Sequence, residues 1–256
     1  MTRIIVFSSG KGGVGKTMVV SNLAAALADL GEDVIAIDAN VTTPNLGLHL
    51  GIHLAPKTLH DVLKGSVRLR NAIYPHPSGF KVIPASLNVN DLKGVDVGRL
   101  PEVTLNLLGR ADFIILDCAA GLGKEATSAL SAADEVVIVT NPDLPSVTDA
   151  LKTVKIAEEL GKKIIGVVVN RVKGKRHELT KEQIEEFLGV PVIAMIPEDK
   201  HVSEAIAAKQ PIVHYKPDSP AAREIRKLAA WFTGRKIEER EGKLQRLFRK
   251  LTSWLS

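Results

Sequence analysis

The stretch Ile4-Ile5-Val6-Phe7-Ser8-Ser9-Gly10-Lys11-Gly12-Gly13-Val14-Gly15-Lys16-Thr17 decides how the rest of the chain is read. Its first half is an apolar run and predicts a buried strand. Its second half is a glycine-rich loop. The apolar positions that follow (Val20, Leu23, Ala24, Leu27) recur at helical spacing. Strand, loop, helix is the context that a phosphate-binding loop requires. Gly10, Gly15, Lys16 and Thr17 fill all four fixed positions of that motif, which an ordinary glycine-rich turn would not do. Glycines let backbone N–H groups turn inward as an anion nest, and the helix adds its positive N-terminal end. The motif assigns Lys16 to the β- and γ-phosphates of a nucleotide and the Thr17 hydroxyl to Mg²⁺.

Outward from this unit, strands and helices alternate. Strands are predicted at 3–8, 33–38, 71–74, 80–83, 112–117, 135–140, 163–169 and 191–196. Helices are predicted at 16–30, 58–64, 97–108, up to about 131, and at 146–160, 181–188, 202–208 and 220–232. Most of the strands are continuous apolar runs, which predicts an α/β fold: a doubly wound, mostly parallel sheet with helices on both faces. Aromatic residues make up only 4%, so the core falls to Val, Ile, Leu and Ala. Ligands in such sheets bind beyond the carboxyl ends of the strands. The glycine loop, Asp38, Asp117, Asn141 and Asn170 all fall at predicted strand ends, so one crevice collects them.

With 256 residues the chain can bury a full core. Its 45% hydrophobic and 25% charged residues are ordinary for a globular protein. A single cysteine, Cys118, excludes disulfide frameworks and Cys-rich metal sites within one chain. The first strand starts at once, without a leader pattern, and no apolar run reaches the roughly 18 residues that span a bilayer. The expected compartment is the cytoplasm. Net charge is +5, and residues 235–256, with seven Lys/Arg and three Glu, carry +4 of it. The remainder is nearly neutral, which argues against a surface that coats nucleic acid.

Lys11, directly after the first glycine, is a second lysine in the loop. Here the sequence resembles the deviant Walker A ATPases of the MinD/ParA family, whose loop reads K-G-G-x-G-K-[ST]. The resemblance covers roughly residues 1–234. It implies that Lys11 crosses a homodimer interface formed on ATP binding and meets the partner's nucleotide, as an arginine finger does. It implies ATP/ADP and Mg²⁺ as cofactors. Gly10 to Thr17 and Met18 are then expected around the phosphates, with Lys11, Lys16, Asp38 and Asn40 as the catalytic set. Asp117 takes the Walker B place and Asp38 the first acid of switch I, both serving the metal with Thr17. The loop after Asp117 resembles D-x-P-A-G, with Ala119 in place of proline and Gly121 fitting. The second switch I acid is replaced by Asn40. An amide orients water but takes no proton, so slow hydrolysis is expected. Asn170, followed by Arg171, occupies the adenine-reading position, and Pro197, Glu198 and Asp199 follow the last strand, where the family wraps the base. Read from the residues alone, an Asn at a strand end is a turn residue.

The tail is a further unit. Leu244, Leu247, Phe248, Leu251, Trp254 and Leu255 share one helical face, with Lys243, Arg246, Arg249 and Lys250 around it. A basic amphipathic helix with Trp and Phe reads as an interfacial membrane anchor, or else as a helix packed on protein. The expected layout is an ATPase domain at 1–234, a polar tether at 235–242 and a targeting helix at 243–256. The reading that follows is a MinD-like ATPase. It dimerises on ATP, attaches to the inner face of the cell membrane, answers to a protein activator or effector, and positions division or a polar structure. A ParA-type DNA-partition ATPase, contacting DNA through Arg171, Lys173, Lys175 and Arg176, and a regulator of flagellar placement are the alternatives. Iron–sulfur relatives need more than Cys118.

Overall fold

The computed structural model describes residues 1–235. Eight strands form one sheet in the order β3-β4-β2-β5-β1-β6-β7-β8. They are β1 (Arg3–Ser8), β2 (Val34–Ala39), β3 (Tyr74–Pro75), β4 (Lys81–Ile83), β5 (Phe113–Cys118), β6 (Glu135–Thr140), β7 (Lys163–Val172) and β8 (Val192–Pro197). Only the β3–β4 pair is antiparallel. The order reverses around β1, which lies between β5 and β6, and a switch point of that kind opens a crevice at the strand ends.

Side chains alternate along each strand, so the sheet feeds two cores. Ile4 and Val6, Ile35 and Ile37, and Ile114 and Leu116 point to one face. That face is covered by α3 (Leu59–Leu63), α4 (Leu100–Leu105), α5 (Lys124–Ser131), α6 (Leu144–Glu159) and α7 (Lys181–Leu188). Ile5 and Phe7, Val34 and Ala36, and Phe113 and Ile115 point to the other face. There lie α1 (Lys16–Asp29), α2 (Leu46–His49), α8 (His201–Ala207), α9 (Ile212–Tyr215) and α10 (Pro220–Thr233). The expected doubly wound sheet is present.

Details differ from the sequence reading. Residues Leu69–Ala72 form a short 3₁₀ turn, and strand pairing is confined to Tyr74–Pro75. The helix expected at 97–108 is a 3₁₀ turn, Val97–Arg99, running into the shorter α4. Strand β7 runs on through Asn170 and Arg171 to Val172. Its pairing with β8 shifts register between Val169 and Val172, and Arg171 takes a φ of 59°. Asn170 therefore sits at an irregularity inside a strand. The expected tether and helix, with Leu244, Leu247, Phe248, Leu251, Trp254 and Leu255, lie outside the described residues apart from Arg235. Arg235 bonds the Leu30 carbonyl, and its second nitrogen reaches Glu32 at 2.9 Å.

Candidate functional site

Parallel register builds the centre of the site. Asp38 of β2 and Asp117 of β5 are register partners. Both stand on the α1 side of the sheet, by the alternation that sends Ala36 and Ile115 there. Two carboxylates on neighbouring strands, both almost fully buried, need a cation between them. Lys16, at the first position of α1, supplies it. Its ammonium is 3.1 Å from Asp117 Oδ1, and the Thr17 hydroxyl donates to Asp117 Oδ2 at 2.6 Å. Burial opposes the charge on Lys16, but the groups around it, Asp117 foremost, together outweigh burial, and the ammonium is held above the usual lysine range.

Asp38 is placed differently. Oδ2 accepts from the Leu46 N–H at 2.9 Å, whereas Oδ1 is buried without a hydrogen-bond partner. Burial first, then the negative Asp117, push this carboxyl well above the usual carboxylate range. A buried oxygen beside a second carboxylate and a threonine hydroxyl is a donor set that fits a hard divalent cation.

The glycine loop is positioned from below and behind. The Gly121 N–H donates to the Ser9 carbonyl at 3.0 Å. Two carboxamides converge on the Val14 carbonyl, Asn170 Nδ2 at 2.8 Å and Asn141 Nδ2 at 3.3 Å. Gly10 lies against α6, where a Cβ would fall 2.1 Å from the Asp149 carbonyl oxygen. Gly15 takes a φ of 92° and caps α1 without any side-chain acceptor, and the first turn of α1 holds no acid. The leading N–H groups of α1 are thus left for an anion.

A cleft of about 1090 Å³ opens over this floor. Gly12, Gly13, Val14, Lys16, Thr17 and Asn40 border one end. Asn170, Arg171, Pro197, Glu198 and Asp199 border the other, with Met18 also on the lining. The Asn40 side chain turns back onto Thr43, donating to its carbonyl at 2.6 Å and accepting from its N–H at 3.2 Å. The Asp199 carboxylate accepts from the N–H groups of His201 and Ala221, so it ties α8 to α10 and leaves its backbone to face the cleft. Those bonds outweigh burial and hold Asp199 below the usual carboxylate range. Lys11 is apart from the lining. Its ammonium stands 3.6 Å from Asp143 Oδ1, both side chains being well exposed.

Three features of the site were not read from the sequence. Asn141 clamps the glycine loop, and only its place before Pro142 at a strand end marked it. Glu125 and Thr42 bond to each other across the cleft rim. His49 lines the cleft from α2, with its pKa lowered by burial.

Residues 5–212 match CbiA, the CobQ/CobB/MinD/ParA nucleotide-binding domain. The chain belongs to the MinD/ParA family. An uncharacterised ATP-binding protein of Methanocaldococcus jannaschii is 43% identical over 238 residues, 93% of this chain and 90% of that protein. The septum site-determining protein MinD of Pyrococcus horikoshii, complexed with Mg-ADP, has a TM-score of 0.88 at 36% identity, over 96% of this chain and 99% of that one. MinD in the MinC:MinD complex of Aquifex aeolicus has a TM-score of 0.82 at 31% identity, over 93% and 99%. MinD/ParA members are ATPases, and the MinD-like fold is the one described above.

Proposed function

We propose that the chain is a MinD-like ATPase whose ATP-bound homodimer attaches to an anionic membrane surface. One observation carries the reading: a buried Lys16–Asp117 pair, joined by the Thr17 hydroxyl, beneath an uncapped helix end, with a free buried oxygen on Asp38. ATP and ADP fit the cleft, the phosphates toward α1 and the base toward β7 and β8. Thr17, Asp38 and Asp117 would hold Mg²⁺, which neutralises phosphate charge when bound. Lys16 then bears on the phosphates, with Asp117 fixing its direction. At the base end, Asn170 spends its N–H₂ on Val14, which leaves its carbonyl for a base amine. Arg171, Pro197 and Asp199 flank the same end.

Lys11 supports the dimer reading because its pair with Asp143 is exposed, and such pairs contribute at most about 1 kcal/mol. Releasing Lys11 toward a partner's phosphates therefore costs little. Asn40 supports slow hydrolysis, since an amide folded onto Thr43 takes no proton from water. Among the described residues no helix is long and apolar enough to cross a membrane, so attachment falls to the basic amphipathic segment 243–256. Two weak anchors joined in a dimer gain by effective concentration. The DNA alternative has less support. Lys173 pairs with Glu198 at 3.2 Å, and the backbone N–H groups of Lys173 and Lys175 fold onto Glu178.

The deciding experiment is co-sedimentation with anionic liposomes and, separately, with DNA, each with ATP and with ADP. Sedimentation with liposomes under ATP, lost on deletion of 236–256 and on Lys11→Ala, is the expected result. ATP-dependent capture by DNA alone would replace the membrane reading with a partition one. Failure to bind ATP at all would remove the ATPase reading.

A further inference from the structure

Loop 40–45, which follows β2, borders the phosphate end of the cleft through Asn40, Thr42, Thr43 and Asn45. Its own bonds do not fix it there. The Asn40 side chain bonds to Thr43, which closes the turn on itself. The ends are tied, Val41 O to His60 Nε2 at 3.1 Å and Leu46 N–H to Asp38. The middle is tied at one residue. Thr42 gives its hydroxyl to Glu125 Oε1 and its N–H to Glu125 Oε2, the latter at 3.4 Å. Among the described residues no other side-chain hydrogen bond joins loop 40–45 to the segment 119–131.

We propose that Glu125 is a positioning residue that sets loop 40–45 over the phosphate end of the cleft through Thr42. Its place in the fold suits that task. Glu125 stands in the first turn of α5, where the helix end favours a negative charge. Helix α5 begins directly after the short loop 119–123 that follows β5, the strand of Asp117. A carboxylate has acceptors for a hydroxyl and an amide at once, so one side chain holds both the side chain and the backbone of Thr42. Reading position 40 alone left this loop without a carboxylate to order it. Glu125 provides one from the opposite wall, where it also lines the cleft. Its consequence for turnover rests on the ATPase reading above; its effect on the loop does not.

The loop is tested first without nucleotide, by amide hydrogen exchange of peptides covering 39–46 in the full chain. E125A and T42V are expected to speed exchange there about tenfold, T42S to keep the wild-type rate, and E125Q, with one acceptor left, to fall between. Turnover of Mg-ATP is then compared. E125A and T42V should each lower kcat about tenfold with KM moved less than threefold, and the double variant should be no worse than either single one. Unchanged exchange in E125A and T42V would overturn the clasp. Faster exchange with unchanged kcat, or single effects that simply add, would overturn the positioning role. A wild-type chain that turns over no ATP would sink the ATPase reading, and the exchange comparison would still decide whether Glu125 holds the loop.

Discussion

Two loops meet at the phosphate end of the cleft, Gly10–Gly15 after β1 and Asn40–Asn45 after β2, and they are held by opposite means. The first hangs from buried groups that belong to the sheet. Val14 is 2% exposed, its carbonyl clamped by Asn170, itself 2% exposed. Gly10 presses on α6 and the Ser9 carbonyl takes the Gly121 N–H. Apart from Val41, tied by its carbonyl to the buried His60, the second hangs from side chains near solvent: Glu125 on Thr42, and Asn40 on Thr43. Buried, fully paired contacts fix a geometry before any ligand arrives. Exposed side-chain pairs contribute little each and exchange partners readily. The glycine loop is therefore fixed in advance, and the loop after β2 is a jointed arm beside the strand end where Asp38 keeps a buried oxygen without a partner.

The largest way to break this contrast is Lys16→Ala. It leaves Asp38 and Asp117 buried side by side without their cation, which should cost about 3 kcal/mol of stability in urea titration. Binding of a non-hydrolysed ATP analogue should weaken about a hundredfold or more by calorimetry. Gly15→Ala attacks the same cradle through the backbone. Its φ of 92° and the 2.1 Å approach of Asn170 Nδ2 to the added carbon predict a loss of about 2 kcal/mol. Gly12→Ala, with nothing within 4 Å of its added carbon, should change folding stability by less than about 0.5 kcal/mol. Equal losses at both glycines would mean that the loop is not fixed where Asn170 meets it.

Asp38→Asn probes the arm. The native carboxyl is pushed up by burial and by Asp117, so at neutral pH its charge costs stability. The neutral amide should raise the stability of the nucleotide-free chain by about 1 kcal/mol and remove the Mg²⁺ dependence of nucleotide binding. The smallest effect is one of pH. His60 bonds the Val41 carbonyl and accepts the Ser86 N–H; His76 bonds the Leu50 carbonyl and accepts the Ser78 N–H. Burial lowers both below the ordinary value of 6.5. The unfolded chain then binds protons first, so their contribution is complete above about pH 6.5 and shrinks as pH falls below it. Protection factors for amide exchange, each corrected for the intrinsic rate at that pH, should fall between pH 7 and pH 5 more at 41–50 than at 10–15. An equal response in both segments would erase the distinction drawn here.

The same contrast explains what the sequence disclosed. The cradle was legible because its residues are adjacent and their spacing is chemical necessity. The sheet was legible because strands buried on both faces are unbroken apolar runs, as in Phe113–Leu116. The clamps were not, because Asn141 and Asn170 reach Val14 across 127 and 156 residues. Nothing local marks such a partner. Helices α2 and α9 were not, because they span four residues each and carry no period to detect. Residues 71–74 read as a short strand, but Leu69–Ala72 form a 3₁₀ turn that buries Ala72, and pairing begins only at Tyr74. Glu125 looked like any first-turn glutamate until the fold brought Thr42 to it.

The pairing of Asp38 with Asp117 has one more consequence, for folding itself. Side chains alternate along β2, so a slip of one residue would present Ile37 or Ala39 at the cleft in place of the acid. A chain mispaired in this way would pack an apolar side chain where the cation belongs and could not hold nucleotide. A ligand that binds only the correctly registered sheet would add its binding energy to that sheet alone and draw the population toward it.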